Sequence, residues 1–599
     1  MTHPILNILQ EEWKYLGKRR KIFVLYMFLF VVGGLVELAT PYVLGKVFNL
    51  IQNSITSRQE LNTLLLHISF LLGLDLLFWI FHGTGRILET RTGFFVKRDY
   101  INDKIHAVLR LPIKWHKENH SGSTIDKINR AAQGLGDFSS STFLILYTII
   151  KFLGSLIVLF FINFKVGLFA LIYSSITLFL ISRVDKRLDK KYRDLNRYSN
   201  QVSAKVFDYI SNVITVITLR LKKTVSEEID KKQLAAYPTF ISSSVINELK
   251  WAFASISIKV MIVTALIYYA YTEFTLTGMI LIGTLYMLYG YLNNVGETFY
   301  RFAELYGTYI RSNAQLMGVY SIDQEYKRVK EIEAGRLPEN WKTIELKNLS
   351  FTYDKKGTVT HLANINFTFT KGQRIALVGE SGSGKSTLLS LIRGLYHPKK
   401  EQVYCDGILM PQGIKNIRDH VTLIPQEPEI FNNTFRYNIT MNTTVTESEL
   451  RKAIEMAQLK PVIARLPKKL ATNVLEKGVS LSGGEKQRLA LARGLLAARN
   501  EDILLLDEPT SSVDSLNEIK IHENIFSEFK QKTIISSIHR LHLLDKFDYI
   551  YLFSNGRTIG EGTFEQLKKN PTFHTMWMKY HKEKRTDLEL AKDKTGKTR

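Results

Sequence analysis

Six long apolar runs, at residues 22–45, 64–83, 138–161, 166–184, 251–271 and 276–292, constrain this chain more than any other feature. A helix needs about 20 mostly apolar residues to cross about 30 Å of hydrocarbon. Six such runs within the first half predict six membrane helices rather than core helices of a water-soluble protein. The first run is not a cleaved signal peptide, because it is too long and no short polar region with small residues follows it. The chain has 599 residues, and the runs end before its midpoint. A second, differently built domain must therefore follow, since one core rarely exceeds about 300 residues. The single cysteine, Cys405, excludes an intrachain disulfide framework and a cysteine-cluster metal site.

The net charge of +24 points at first sight to nucleic acid. Its distribution argues otherwise. Residues 1–325 carry 36 basic and 24 acidic side chains and the remainder 44 and 32, so each half holds an excess of 12. In the first half the excess lies before the first run (Lys14, Lys18, Arg19, Arg20, Lys21) and in the connections between runs two and three and runs four and five. The alternate loops are short and poor in Lys and Arg. This asymmetry predicts a multi-pass cell-membrane protein with both termini in the cytoplasm. Attraction to anionic lipid headgroups explains the charge without nucleic acid.

The two basic connections, of roughly 50 and 65 residues, are too long for simple loops. They read as membrane helices that continue into the cytoplasm, turn near 115–123 and 208–219, and return. A cytoplasmic partner would dock at those turns.

From about residue 341 the texture changes to short β-rich runs and amphipathic helices, the α/β pattern. A buried strand at 374–378 runs into Gly379, Glu380, Ser381, Gly382, Ser383, Gly384, Lys385, Ser386 and Thr387, and then into a helix at 388–394. This is G-x-x-x-x-G-K-[ST] in its strand–loop–helix setting. The glycines let backbone N–H groups wrap phosphates, and the helix N-terminus adds positive potential. Lys385 neutralises the β- and γ-phosphates, and Ser386 offers its hydroxyl to Mg²⁺. A second buried strand, 503–506, ends in Asp507 and Glu508. Asp507 is placed to hold Mg²⁺ through water and Glu508 to polarise an attacking water. A third run, Leu481-Ser482-Gly483-Gly484-Glu485, opens a helix at 486–498. It reads either as a second anion site or as a helix start capped by Ser482.

Together these motifs resemble the nucleotide-binding domain of an ATP-binding cassette transporter, and the membrane half resembles the exporter type. The resemblance runs from about residue 20 to about 580. It implies a six-helix α transmembrane domain with long cytoplasmic helix extensions, followed by an α/β P-loop ATPase domain. The expected division is a membrane domain at 1–325, a linker at 326–340, a nucleotide-binding domain at 341–580 and a charged tail at 581–599. By the resemblance, Tyr353 stacks on adenine and Gln426 touches Mg²⁺ and water. Ser482, Gly483 and Gly484 bind the γ-phosphate of ATP held by the opposite subunit. Asp514 lies in the loop crossing the dimer interface, and His539 is the switch histidine at the γ-phosphate. Residues 472–478 resemble an exporter-specific stretch before the signature. Two departures are visible: Glu485 stands where Gln is commonest, and Leu475 replaces a usual Gly. Residues 112–122 and 214–216 lie where the two coupling turns are expected.

The resemblance implies ATP and Mg²⁺ as cofactors and an ATP hydrolase coupled to transport. One chain holds six runs and one cassette, so two chains are needed, either a second copy or a homologous half-transporter. The implied activity is an exporter or flippase for an amphipathic or hydrophobic substrate: a lipid, a drug-like compound or a peptide. An ATP-gated channel or transport regulator on the same scaffold is the alternative, disfavoured by the intact Glu508 and signature. A soluble cassette ATPase is disfavoured by the six runs. No peptidase domain precedes the first run, so leader-peptide processing is not expected. Within the runs, Glu37, Asp75, Lys151 and Lys259 either line a pathway or pair with one another. Tyr268, Tyr269, Tyr271, Tyr286, Tyr289 and Tyr291 either line a pathway or form an interfacial belt.

Overall fold

The computed structural model describes residues 4–330, 336–353, 360–474 and 481–580. The chain separates into two compact units. Met1–Leu111 and Asn119–Lys327 form the first, and Pro112–Glu118 and Arg328–Arg599 form the second.

The first unit is helical throughout its described residues. It comprises α1 (Pro4–Leu16), α2 (Arg20–Leu38), α3 (Thr40–Gln52), α4 (Arg58–Leu109), α6 (Ser121–Ser139), α7 (Thr142–Ile162), α8 (Phe164–Ser211), α9 (Val213–Thr218), α10 (Lys222–Leu234), α11 (Tyr237–Thr277), α12 (Ile282–Met317) and α13 (Tyr320–Lys330). The short helix α5 (Ile113–Glu118) belongs to the second unit. The helices α4 and α8, of 52 and 48 residues, are the long extensions expected from the two basic connections. The short helix α5 overlaps the first expected turn, 115–123, and α9 lies within the second, 208–219. A capping box between Ser57 and Glu60 starts α4, and Asn163 caps α8. The first apolar run breaks at Ala39, where Pro41 sits in the first turn of α3.

Among the described residues, five helical stretches are long and apolar enough to cross a membrane. The sixth run, 276–292, is not one helix. Gly278 takes φ +71° and ends α11, and α12 begins four residues later. The helix α12 follows as a sixth long helix, with Asn293, Asn294 and Glu297 interrupting its apolar stretch. Its fit against α3 depends on glycine. A Cβ at Gly283 would lie 1.9 Å from the Gly45 carbonyl oxygen, so only hydrogen fits between these backbones.

The second unit holds two sheets. A four-stranded antiparallel sheet has the order β2-β1-β4-β5, with β1 at Thr343–Phe351, β2 at Leu362–Thr370, β4 at Lys400–Cys405 and β5 at Ile408–Leu409. A six-stranded sheet has the order β10-β9-β3-β8-β7-β6. Its strands are β3 (Arg374–Gly379), β6 (Val421–Ile424), β7 (Ile503–Asp507), β8 (Thr533–Ser537), β9 (Tyr549–Ser554) and β10 (Arg557–Gly562). All its pairings except β9–β10 are parallel. The central strands β7 and β8 are buried along their whole length, which is why β7 reads as a continuous apolar run up to Asp507. The helices are α14 (Lys385–Ile392), α15 (Phe435–Thr440), α16 (Glu447–Met456), α17 (Lys460–Ala464), α18 (Gly483–Ala497), α19 (Ser515–Glu528) and α20 (Phe564–Leu567). One apolar core packs β1, β2, β4 and α14 on one face of the larger sheet, and a second packs α15–α19 on the other. In α5, Ile113 packs on the first of these cores and Lys117 lies 5.5 Å from the Tyr396 ring centroid.

Candidate functional site

The parallel strands β3, β8 and β7 end side by side, and the site is built where their C-terminal ends meet loops. Strand β3 delivers the P-loop. Gly379 has φ +156°, and a Cβ there would come within 2.3 Å of the Phe553 carbonyl oxygen. Gly384 has φ +107° and precedes the first residue of α14, so the helix begins at Lys385, earlier than the sequence reading placed it. Lys385 is 4% exposed, and its ammonium donates to the carbonyls of Gly379 (2.7 Å) and Glu380 (3.0 Å). Burial pulls its pKa below the usual lysine value, against the raising influence of Glu508 and Asp507.

Strand β7 delivers the acids. Asp507 accepts hydrogen bonds from the hydroxyls of Ser386 (2.9 Å) and Ser537 (2.7 Å). Burial raises its pKa above the usual carboxylate value, and those two hydrogen bonds oppose the shift. Glu508 takes φ +46°, uncommon for a residue with a side chain, and its N–H donates to Ser537 Oγ at 3.0 Å. Its carboxylate is held from two sides. Gln426 Nε2 donates to Oε2 at 2.7 Å, and His539 Nε2 lies 2.5 Å from Oε1. These groups share a cavity of about 520 Å³ lined by residues 381–387, Gln426, Glu508, His539, His361 and Asn555, among others. Tyr353 sits beside it, half-exposed. Its hydroxyl is 3.4 Å from Thr387 Oγ1, and its ring stands edge-on to Tyr396.

The signature lies elsewhere. Ser482 caps α18 in a reciprocal box with Glu485, which also pairs with Arg465. Ser482 is thus an N-cap within its own chain. Gly484 rests on the segment after Glu508, where a Cβ would come within 2.7 Å of the Ser512 carbonyl oxygen. Gly483 lines a second cavity with Gln426, Lys486, Gln487 and Ser512. Asp514 caps α19 by accepting from the Asn517 N–H at 3.0 Å, and its hydrogen bonds to Asn517 lower its pKa. Among the described residues, neither Ser482, Gly483, Gly484 nor Asp514 lines the P-loop cavity. Residues 475–478, including the departure at Leu475, lie outside the described residues.

Two side chains escaped the sequence reading. Ser537 bridges Asp507 and the Glu508 backbone. Gln487 donates to Ser511 Oγ at 2.7 Å and accepts from the Ser512 N–H at 2.7 Å, joining the signature helix to the loop after Glu508. The available signal for Ser537 was a serine closing a strand two residues before His539.

A profile for the ABC transporter family matches residues 362–511, and one for the ABC transporter transmembrane region matches residues 23–295. The chain belongs to the ABC transporter family. An uncharacterized ABC transporter ATP-binding protein of Bacillus subtilis is 24% identical over 95% of this chain and 93% of its own. The ATP-dependent lipid A-core flippase of Pseudomonas putida is 38% identical over 42% of each chain. A bacterial Atm1-family ABC exporter, solved with ATP bound, superposes with a TM-score of 0.80 at 24% identity, covering 94% of this chain and 99% of that one. This ABC transporter is a multi-pass membrane protein that binds and hydrolyses ATP, with a helical membrane domain ahead of its nucleotide-binding domain.

Proposed function

We propose that the protein is an ATP-driven exporter or flippase that works as a dimer, ideally of two identical chains, with both termini in the cytoplasm. It moves an amphipathic or hydrophobic substrate, a lipid, drug-like compound or peptide, by alternating access. The observation that carries this reading is the division of the ATP site. Glu508, Gln426, His539 and the P-loop share one cavity, while Ser482–Gly484 and Asp514 line none of it. A partner's signature would supply the missing wall.

Each residue then has a physical task. The P-loop N–H groups and Lys385 cradle the phosphates. Tyr353 offers a ring face to adenine. Ser386 and Asp507, 2.9 Å apart, with the Gln426 amide beside Glu508, present a hard oxygen donor set that suits Mg²⁺. When bound there, the cation neutralises phosphate charge. Glu508 orients the attacking water, and Gln426 and His539 fix its carboxylate, so catalysis is positioning plus charge stabilisation. The helix α5 belongs to the nucleotide-binding unit, which supports its reading as the first coupling turn.

The lipid A-core flippase among the relatives supports a lipid-like cargo. The test is ATPase activity in lipid nanodiscs with lipids, peptides and drug-like cations, paired with flux into vesicles. Stimulated hydrolysis with ATP-dependent flux is expected. Ion currents without flux would overturn the reading in favour of a channel.

A further inference from the structure

The four charges within the apolar runs do not behave alike. Glu37 and Lys151 form an ion pair at 2.7 Å, which satisfies both inside the chain. Asp75 on α4 and Lys259 on α11 are exposed, and neither has an ion-pair partner among the described residues. Each interrupts an exposed apolar stripe. Leu72 and Trp79 flank Asp75 at helical spacing, 64% and 59% exposed, and Ile256 and Val263 flank Lys259, 63% and 53% exposed. Acyl chains would cover such stripes well but would leave a bare charge strongly disfavoured.

Their depths match. After one crossing the chain enters α4 from the side opposite its N-terminus, and after five crossings it leaves α11 on that same side. Asp75 lies about 11 residues, or ~16 Å, below that edge of run 64–83. Lys259 lies about 12 residues, or ~18 Å, below the same edge of run 251–271. Both are near mid-membrane, too deep for an aspartate or a lysine stem to reach either surface. On the helix face of Lys259, Ala252 and Ser255 are small and exposed, which permits close approach by another helix.

We propose that Asp75 of one chain pairs with Lys259 of a second copy of the same chain, inside the membrane. Two-fold symmetry then makes the contact twice, and four charges left bare in two separate chains are all paired. The pair rests on the dimer reading above and specifies its membrane contact. A homologous partner lacking either charge would leave one of them against lipid, so the pair selects for identical chains.

Two measurements test it. Differently tagged chains carrying Asp75→Cys and Lys259→Cys are co-expressed, and their membranes are oxidised. The only native cysteine, Cys405, is buried and silent. A covalent dimer bearing both tags is expected, at least about tenfold more abundant than from either variant alone. Separately, Asp75→Lys or Lys259→Asp should lower the dimer fraction by native mass measurement at least about tenfold, and both reversals in one chain should restore it. A native-mass dimer with no mixed crosslink, or a double reversal as weak as the single ones, overturns the pairing while leaving the dimer intact. A wild-type chain that is monomeric in nanodiscs overturns the dimer reading and the pairing with it.

Discussion

In the nucleotide-binding unit, Leu504, Leu505 and Leu506 are 0% exposed, buried by the chain itself. In the membrane unit, Leu66 and Ile80 stand 69% and 62% exposed on α4. The residue types are the same and the solvents differ. In water, strands gain about 25 cal/mol for each Å² of apolar surface they bury, so the second unit encloses its apolar runs on both faces. In a bilayer the lipid covers those side chains, and helices gain little by burying them against each other. The first unit is held instead by close backbone fit, as at Gly45 and Gly283, and by paired charges, as at Glu37 and Lys151. The difference teaches where a mutation hurts: apolar truncation matters in one unit, and added volume or lost charge matters in the other.

The sharpest way to break this comparison is a leucine truncation in each unit. Leu505→Ala should cost about 2–5 kcal/mol, read as a lower thermal unfolding midpoint of the purified chain. Next in size is Lys385→Ala, which removes a buried charged donor and should weaken ATP binding by about 1.5–3 kcal/mol in a nucleotide titration. Unchanged binding would count against the phosphate cradle. Glu508→Gln keeps the shape of the side chain and should still bind ATP. Its turnover should fall at least about tenfold, or about 1.4 kcal/mol of barrier, and wild-type turnover would sink the role given to that carboxylate. Ser482→Ala removes the cap of α18 and should cost about 1 kcal/mol of stability. Smallest is Leu66→Ala, for which the midpoint should move by no more than about 0.5 kcal/mol equivalent. A loss as large as that of Leu505→Ala would mean that the α4 face is covered by protein.

Much of the site was legible because its parts are local. The glycine spacing from Gly379 to Lys385 dictates a loop, and four apolar residues before Asp507 dictate a strand that ends there. What was not legible depends on pairing between distant segments. Ser537 reaches Asp507 because β8 pairs in parallel with β7, setting Asp507 opposite Ser537. Gln426 and His539 are 113 positions apart, yet they grip the two oxygens of one carboxylate. The end of α11 at Gly278 was also missed, because an apolar run continues across the turn and hydropathy does not register φ.

The sequence alone determined the division of the chain into a lipid-facing part and a P-loop part. It did so because hydrophobic length and loop chemistry are properties of contiguous residues. It also named Lys385, Gln426, Glu508 and His539, which the fold gathers at one cavity. Only the tertiary structure decided which charges are satisfied. Glu37 meets Lys151 because α2 packs against α7, whereas Asp75 and Lys259 face outward, and no spacing along the chain separates those two cases. Charge satisfaction is a matter of distance in space, and the fold sets that distance.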